Sequence, residues 1–154
     1  MGKREEKLEA LGFPMSDTPT SAGLYAPLLV DGNIAYASGI LPVENGNLGY
    51  TGKVPSQISV EEATAAARLC AANLLRVCAR ELGSLDRIER VIKVSGFVNS
   101  DSDFTEQHVV MNGASSLFID VLGEAGKHAR SAVGMAGLPL GAAVEVEIII
   151  RLSQ

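Results

Sequence analysis

Apolar residues recur at three- and four-residue steps through Ala63, Ala67, Cys70, Ala71, Leu74, Leu75, Cys78 and Leu82, which predicts an amphipathic helix. Ser59-Val60-Glu61-Glu62 reads as its capping box and Gly83 as its left-handed stop. The stripe is built of Ala, Cys and Leu, so this helix can lie close on a sheet. A second helix is predicted from about Gln107 to Leu122, with Val110, Ala114, Leu117, Phe118 and Val121 on its buried side and Gly123 and Gly126 closing it. Elsewhere the period falls to two. Strands are predicted over Gly23 to Val30 and Ile34 to Ser38, joined at Asp31-Gly32-Asn33, and over residues 87–99, Arg130 to Ala136 and Ala143 to Leu152. Between the first pair and the long helix, Gly39, Pro42, Asn45-Gly46 and Thr51-Gly52 break up a loop with one short strand near Leu48 to Tyr50. The order ββαβαββ defines an α+β domain, a mixed sheet with its two helices on one face, spanning residues 19–154. Residues 1–18, with a short charged helix from Lys3 to Leu11, read as a peripheral extension.

Two strands decide what lies on the sheet's other face. In the last strand Val144, Val146, Ile148, Ile150 and Leu152 form the core side, leaving Glu145, Glu147, Ile149 and Arg151 opposite. In residues 87–99 strict alternation sends Ile88, Ile92, Val94 and Val98 one way and Val91, Lys93, Ser95 and Phe97 the other. A helix-free face carrying Val91, Phe97 and Ile149 beside charges is too apolar for water and too charged for a core, so it predicts an interface between copies in a symmetric oligomer. Composition agrees: the 154 residues are 47% hydrophobic with four Phe, three Tyr and no Trp, and the mean hydropathy of +0.21 is high for a monomer of this size.

The net charge of -5 argues against nucleic-acid binding, and the scarcity of aromatics argues against a base-stacking platform. The mixed-charge start Lys3-Arg4-Glu5-Glu6-Lys7 does not read as a signal peptide, and Glu145, Glu147 and Pro139 spoil the longest weakly charged stretch as a membrane span. A cytoplasmic location, away from membranes, is the expectation. Cys70 and Cys78 are about 12 Å apart along one helix, too far to pair, and read as buried thiols. His108 and His128 stand alone without a second ligand at metal spacing, so no metal is expected.

Polar groups at the edges of apolar strands are the remaining candidates for chemistry. Arg130 opens a strand whose following residues, Ser131 to Pro139, carry no charge, and a guanidinium there suits a bidentate grip on a carboxylate. A salt bridge to Glu145 or Asp120 is the structural alternative. Glu145, with Glu147 two residues on, suits holding and polarising a water, with its carboxyl raised by desolvation, or else an ion pair across a subunit boundary. Tyr25, Ser38 and Asn112 are polar groups near a strand, a strand end and a helix start, and each alone reads as an ordinary hydrogen-bonding residue.

Taken in order, these residues resemble the RidA/YjgF family, also labelled endoribonuclease L-PSP-like, over about residues 20–152. The most specific part is Ala129-Arg130-Ser131-Ala132-Val133, then Leu138-Pro139, then Val144-Glu145-Val146-Glu147. Gly23-Leu24-Tyr25, Tyr36-Ala37-Ser38-Gly39, Val98-Asn99 with Asp103-Phe104, and Met111-Asn112-Gly113 support it. The resemblance implies the chorismate-mutase-like fold and a homotrimer with three clefts between subunits. It implies hydrolytic deamination of reactive 2-imino or enamine acids to a 2-oxo acid and ammonia, without cofactor or metal. Carried over residue by residue, Arg130 would bind the substrate carboxylate, Glu145 would position the attacking water, and Tyr25, Ser38 and Asn112 would line the pocket.

The chain departs from the family pattern at Ala132, where many deaminating members carry Cys, and at Leu24, Ile40 and His128. These mark a divergent subgroup. Two other functions stay open from the residues: a non-catalytic module that senses a small carboxylate, which needs Arg130 but not Glu145, and the ribonuclease activity named for some relatives, which the acidic composition disfavours.

Overall fold

The computed structural model describes residues 1–21 and 23–154; Ala22, just before the predicted first strand, lies outside the described residues. The chain starts with a helix, α1 (Lys3–Ala10), and then forms strands β1 (Leu28–Asp31) and β2 (Ile34–Ile40) and a small hairpin, β3 (Val43–Glu44) and β4 (Asn47–Leu48). The long helix α2 (Val60–Leu82), strand β5 (Ile88–Asn99), helix α3 (Gln107–Leu122), strand β6 (Ala129–Met135) and strand β7 (Val144–Leu152) follow. The main sheet runs β1-β2-β7-β5-β6. All its neighbours are antiparallel except β5 and β6, which the α3 crossover makes parallel. This is the α+β, mixed-sheet architecture predicted.

Local chemistry explains where the elements begin and end. Ser59 Oγ accepts from the Glu62 amide at 3.0 Å, and Gly83 ends α2 at φ 86°. Asn45 and Gly46, with φ of 51° and 76°, make the turn of the β3–β4 hairpin. Its second strand ends at Leu48, ahead of the Tyr50 expected. The first strand starts at Leu28, not Gly23, because Ala26 and Pro27 are held instead by Ser38: its Oγ donates to Ala26 O at 2.7 Å and its amide to Pro27 O at 3.0 Å.

Both long helices bury their stripes on one face of the sheet. Val110, Ala114, Leu117, Phe118 and Val121 of α3 join Ala67, Cys70, Leu74 and Cys78 of α2 against Val144, Val146, Ile148 and Ile150. Two glycines set the spacing. A Cβ on Gly113 would strike the Thr64 carbonyl of α2, and one on Gly96 would overlap the Met111 side chain. Both cysteines are free and buried; burial raises both thiols, that of Cys78 to about 12.

Two expectations need correction. Residues 1–18 are not peripheral: Leu8 is fully buried in the main core, and Arg4 Nη1 donates to Leu85 O at 2.9 Å and Ile88 O at 2.7 Å. Buried Glu5 accepts from the Leu85 amide at 2.6 Å, so α1 ties down the connection between α2 and β5. Secondly, β5 does not alternate strictly. Irregularities between Ile88 and Arg90 and between Val91 and Lys93 insert one extra residue each against β7. Val91 therefore pairs with Ile150 and is fully buried in the core, so it does not join Phe97 and Ile149 on the open face.

Candidate functional site

Arg130 sits near the start of β6, opposite Val94, and therefore on the helix side of the sheet. Its Nη1 donates to Asn112 Oδ1 at 2.9 Å and to Ser115 Oγ at 3.1 Å, and its Nη2 donates to His108 O at 3.2 Å. All three acceptors belong to α3. A guanidinium has five N–H groups, so Nε–H and one Nη2–H remain for a ligand. Among the described residues no carboxylate forms an ion pair with Arg130; Asp120 pairs instead with Arg68 at 3.1 Å, and Glu145 lies on the other face of the sheet. Asn112, expected as a pocket residue, is thus a direct neighbour of Arg130.

Ser115 and His128 complete this cluster; the sequence marked His128 only as a lone histidine and a departure from the family pattern, and did not mark Ser115. Ser115 Oγ is 2.9 Å from His128 Nε2, and His128 Nδ1 is 2.6 Å from Gly126 O. Ser115 lies three residues beyond Asn112, on the same face of α3, and that spacing was the available signal.

A second cluster lies toward the opposite edge of the sheet. Glu145 of β7 pairs with Phe97, half-buried on the open face. Burial, with Glu147 as the lesser cause, raises its carboxyl above the usual range. Its nearest constraint is Gly39 at the irregular end of β2, where a Cβ would collide with Glu145 Oε1. Ser38, beside Gly39, and exposed Tyr25 border a largely apolar cavity of about 160 Å³, together with Pro27, Ile40, Leu41 and Leu140. Ser38 pins the segment carrying Tyr25 through Ala26 O.

One chain therefore gathers the five predicted residues into two groups. Arg130 and Asn112 stand at the β6–α3 edge on the helix side, while Tyr25, Ser38 and Glu145 stand around β2 and β7. Among the described residues no three His, Cys, Asp or Glu side chains converge as a metal site, and no helix is long and apolar enough to cross a membrane.

Residues 5–152 match the family described as "YjgF/chorismate_mutase-like, putative endoribonuclease", a span that takes in most of the N-terminal segment. The chain is 41% identical to protein TCP17 of Trypanosoma cruzi, over 99% of this chain and 96% of the relative. It is 47% identical to a crystallised protein of unknown function from Agrobacterium tumefaciens, with a TM-score of 0.90 over 99% of this chain and 94% of that one. It also shares its fold, at 23% identity and a TM-score of 0.64, with Escherichia coli TdcF solved with bound serine, over 89% of this chain and 94% of that one. A five-stranded mixed sheet with two long helices on one face, matched by the family model over residues 5–152, sets the class, and the chain belongs to the YjgF/chorismate-mutase-like family.

Proposed function

We propose that this protein hydrolyses small reactive 2-imino or enamine acids to a 2-oxo acid and ammonia, in clefts formed between the copies of a homotrimer. The observation that carries the reading is Arg130: a guanidinium fixed by three hydrogen bonds to α3, free of any carboxylate partner among the described residues, with two N–H groups to spare. Such a fork matches a carboxylate. TdcF, whose fold this chain shares, has been solved with bound serine, a small molecule that carries a carboxylate.

The chemistry asks little more. Once its nitrogen is protonated, an imine carbon is electrophilic, and an enamine reaches that state by protonation at carbon. Arg130 would hold the acid end. The Glu145 carboxylate would accept a proton from a water as that water adds to the carbon, giving a carbinolamine. Return of that proton to nitrogen expels ammonia while the carbinolamine hydroxyl gives its own proton back to the Glu145 carboxylate, which leaves the 2-oxo acid. The raised carboxyl of Glu145 suits both halves of this exchange. Because Arg130 and Glu145 lie on opposite faces of one sheet, the site is completed by the Glu145, Ser38 and Tyr25 group of an adjacent copy.

The test is pyruvate release from freshly generated 2-aminoacrylate by wild type, Arg130→Ala and Glu145→Ala. The reading expects wild type well above buffer and both variants strongly reduced. If wild type, like Arg130→Ala, only matches buffer, the hydrolase reading is wrong. Carboxylate binding that depends on Arg130, without turnover, would identify a sensing module instead.

A further inference from the structure

We propose that His128, acting through the hydroxyl of Ser115, is a positioning residue that aims the Arg130 guanidinium at its carboxylate. The inference rests on the reading of Arg130 as the carboxylate grip and names what holds that grip in place.

The proton positions follow from the partners. Gly126 O has no proton to give, so at 2.6 Å the hydrogen on that contact belongs to His128 Nδ1. In the neutral ring Nε2 is then a bare acceptor, and at 2.9 Å it takes the Ser115 hydroxyl proton. With that proton committed, Ser115 Oγ offers only lone pairs to Arg130 Nη1, 3.1 Å away. Donation therefore runs one way, from Arg130 to Ser115 to His128 to the Gly126 carbonyl. The far end of this chain is fixed. Gly126 is buried so tightly that a Cβ on it would strike Phe118 O, and the His128 ring meets the Phe118 ring edge-on, with centroids 5.9 Å apart at 83°. Asn112 Oδ1 and His108 O hold the other two bonded guanidinium hydrogens, so Ser115 is the one partner of Arg130 whose polarity is set by a titratable group.

A second proton on the ring would undo the arrangement. Nε2–H would donate to Ser115 Oγ, whose two lone pairs would then serve His128 and Arg130 together, and the hydroxyl proton would lose its acceptor and turn away, so the bond that fixes the hydroxyl, and with it the aim of Arg130, is released. Burial first, and Arg130 second, oppose that protonation, while the bond to Gly126 favours it; the balance holds the ring below its ordinary pKa. The groups facing His128 are the neutral Ser115 and Phe118 of α3 and the cationic Arg130 of β6, two residues further along the chain. On the preceding turn Lys127 is paired with Glu124 at 2.8 Å, and Asp120 of α3 is paired with Arg68. The ring is therefore neutral at pH 7, and the grip on a carboxylate weakens as pH falls through its titration.

The test is calorimetric binding of pyruvate, the product of 2-aminoacrylate hydrolysis, between about pH 5 and 8. Glutamine at position 128 can place its amide oxygen where Nε2 stands and accept the Ser115 proton, but it does not titrate. His128→Gln should bind as wild type does at pH 8 and lose the part of the acid-side weakening that the histidine causes. His128→Phe, which fills the same space without an acceptor, and Ser115→Ala should each bind about tenfold more weakly at pH 8. Glu145 titrates in every variant, so the difference between wild type and His128→Gln isolates the ring, and melting curves confirm that each variant is folded. An acid limb unchanged in His128→Gln, or wild-type affinity in His128→Phe, overturns the proposal. So does ring nitrogen NMR showing the proton on Nε2 in wild type. Weak binding in Arg130→Ala alone overturns it while leaving the hydrolase reading intact. Binding that depends on His128 as described, in a protein without turnover, overturns the hydrolase reading and leaves the positioning role.

Discussion

Gly39→Ala tests whether the Glu145 carboxyl works as proposed without touching the carboxyl itself. An added Cβ would overlap Glu145 Oε1 and stand 3.1 Å from Cδ and 3.3 Å from Cγ, so the carboxylate must retreat by about 1 Å to reach ordinary contact. Gly39 is outside the left-handed region, and removing a glycine stabilises by about 0.4–1 kcal/mol through the unfolded chain. Turning the Glu145 side chain aside costs about 0.5–1.5 kcal/mol. These offset, so stability should change by less than about 1 kcal/mol, a Tm shift of at most a few degrees. Turnover is different. A reacting group misplaced by about 1 Å costs about a hundredfold, so pyruvate release from 2-aminoacrylate should fall by that factor in a folded protein. Gly96→Ala is the contrasting control, because its Cβ would enter the buried Met111 side chain and should destabilise by about 1–3 kcal/mol. If Gly39→Ala melts like wild type and turns over like wild type, Glu145 does not position the water.

Glu145→Gln should stabilise the fold at neutral pH: the folded carboxyl titrates above the unfolded one, so its ionisation opposes folding once pH passes the unfolded value. Urea midpoints should show that gain at pH 7 and its disappearance below about pH 4, where the carboxyl is protonated in both states; a gain that grows on acidification would reverse the assignment. Leu8→Ala should cost about 2–5 kcal/mol in urea unfolding because Leu8 is fully enclosed, and a loss under about 0.5 kcal/mol would restore the peripheral view of the N-terminal segment. Light scattering at micromolar concentration should give three times the 16.1 kDa chain mass, and a monomer would remove the shared-site mechanism.

Features written as short-range patterns were legible in the sequence. The Ser59 cap, the Gly83 stop, the α3 stripe and the alternation of β7 all rest on residues within a few positions of each other, and the structure repeats them. The bulges in β5 were not legible, because nothing local distinguishes an extra residue from a step in the alternation; only pairing with β7 reveals it. Leu8 was missed for a related reason. Its helix is charged at every position except Leu8 and the small Ala10, and the core it fills is supplied by distant parts of the chain. Arg130 and Glu145 stood out as charges inside apolar strands. Ser115 and His128 did not, since a serine in a helix and a lone histidine acquire meaning only when the crossover sets α3 beside β6.

Strand parity also decides how a complete site can be built. Arg130 shares a row with Val94 and Ile148 on the helix side, whereas Glu145 shares one with Phe97 and Val133 on the open side. The sheet ends at β1 on one edge and β6 on the other, and both ends expose apolar side chains: Leu29 and Tyr36 near the first, Val133 and Met135 on the second. In the proposed ring each site takes Arg130 from one copy and Glu145 from the next. Arg130→Ala and Glu145→Ala chains, unfolded together and refolded as an equal mixture, should then recover activity that neither has alone. A site is intact when its Arg130 comes from a Glu145→Ala chain and its Glu145 from an Arg130→Ala chain, which random assembly gives about one time in four. Recovery of about a quarter of the wild-type rate per site is the expected result. No recovery from mixed trimers, shown to be mixed by mass, would place both residues in a site belonging to one chain and refute the parity argument.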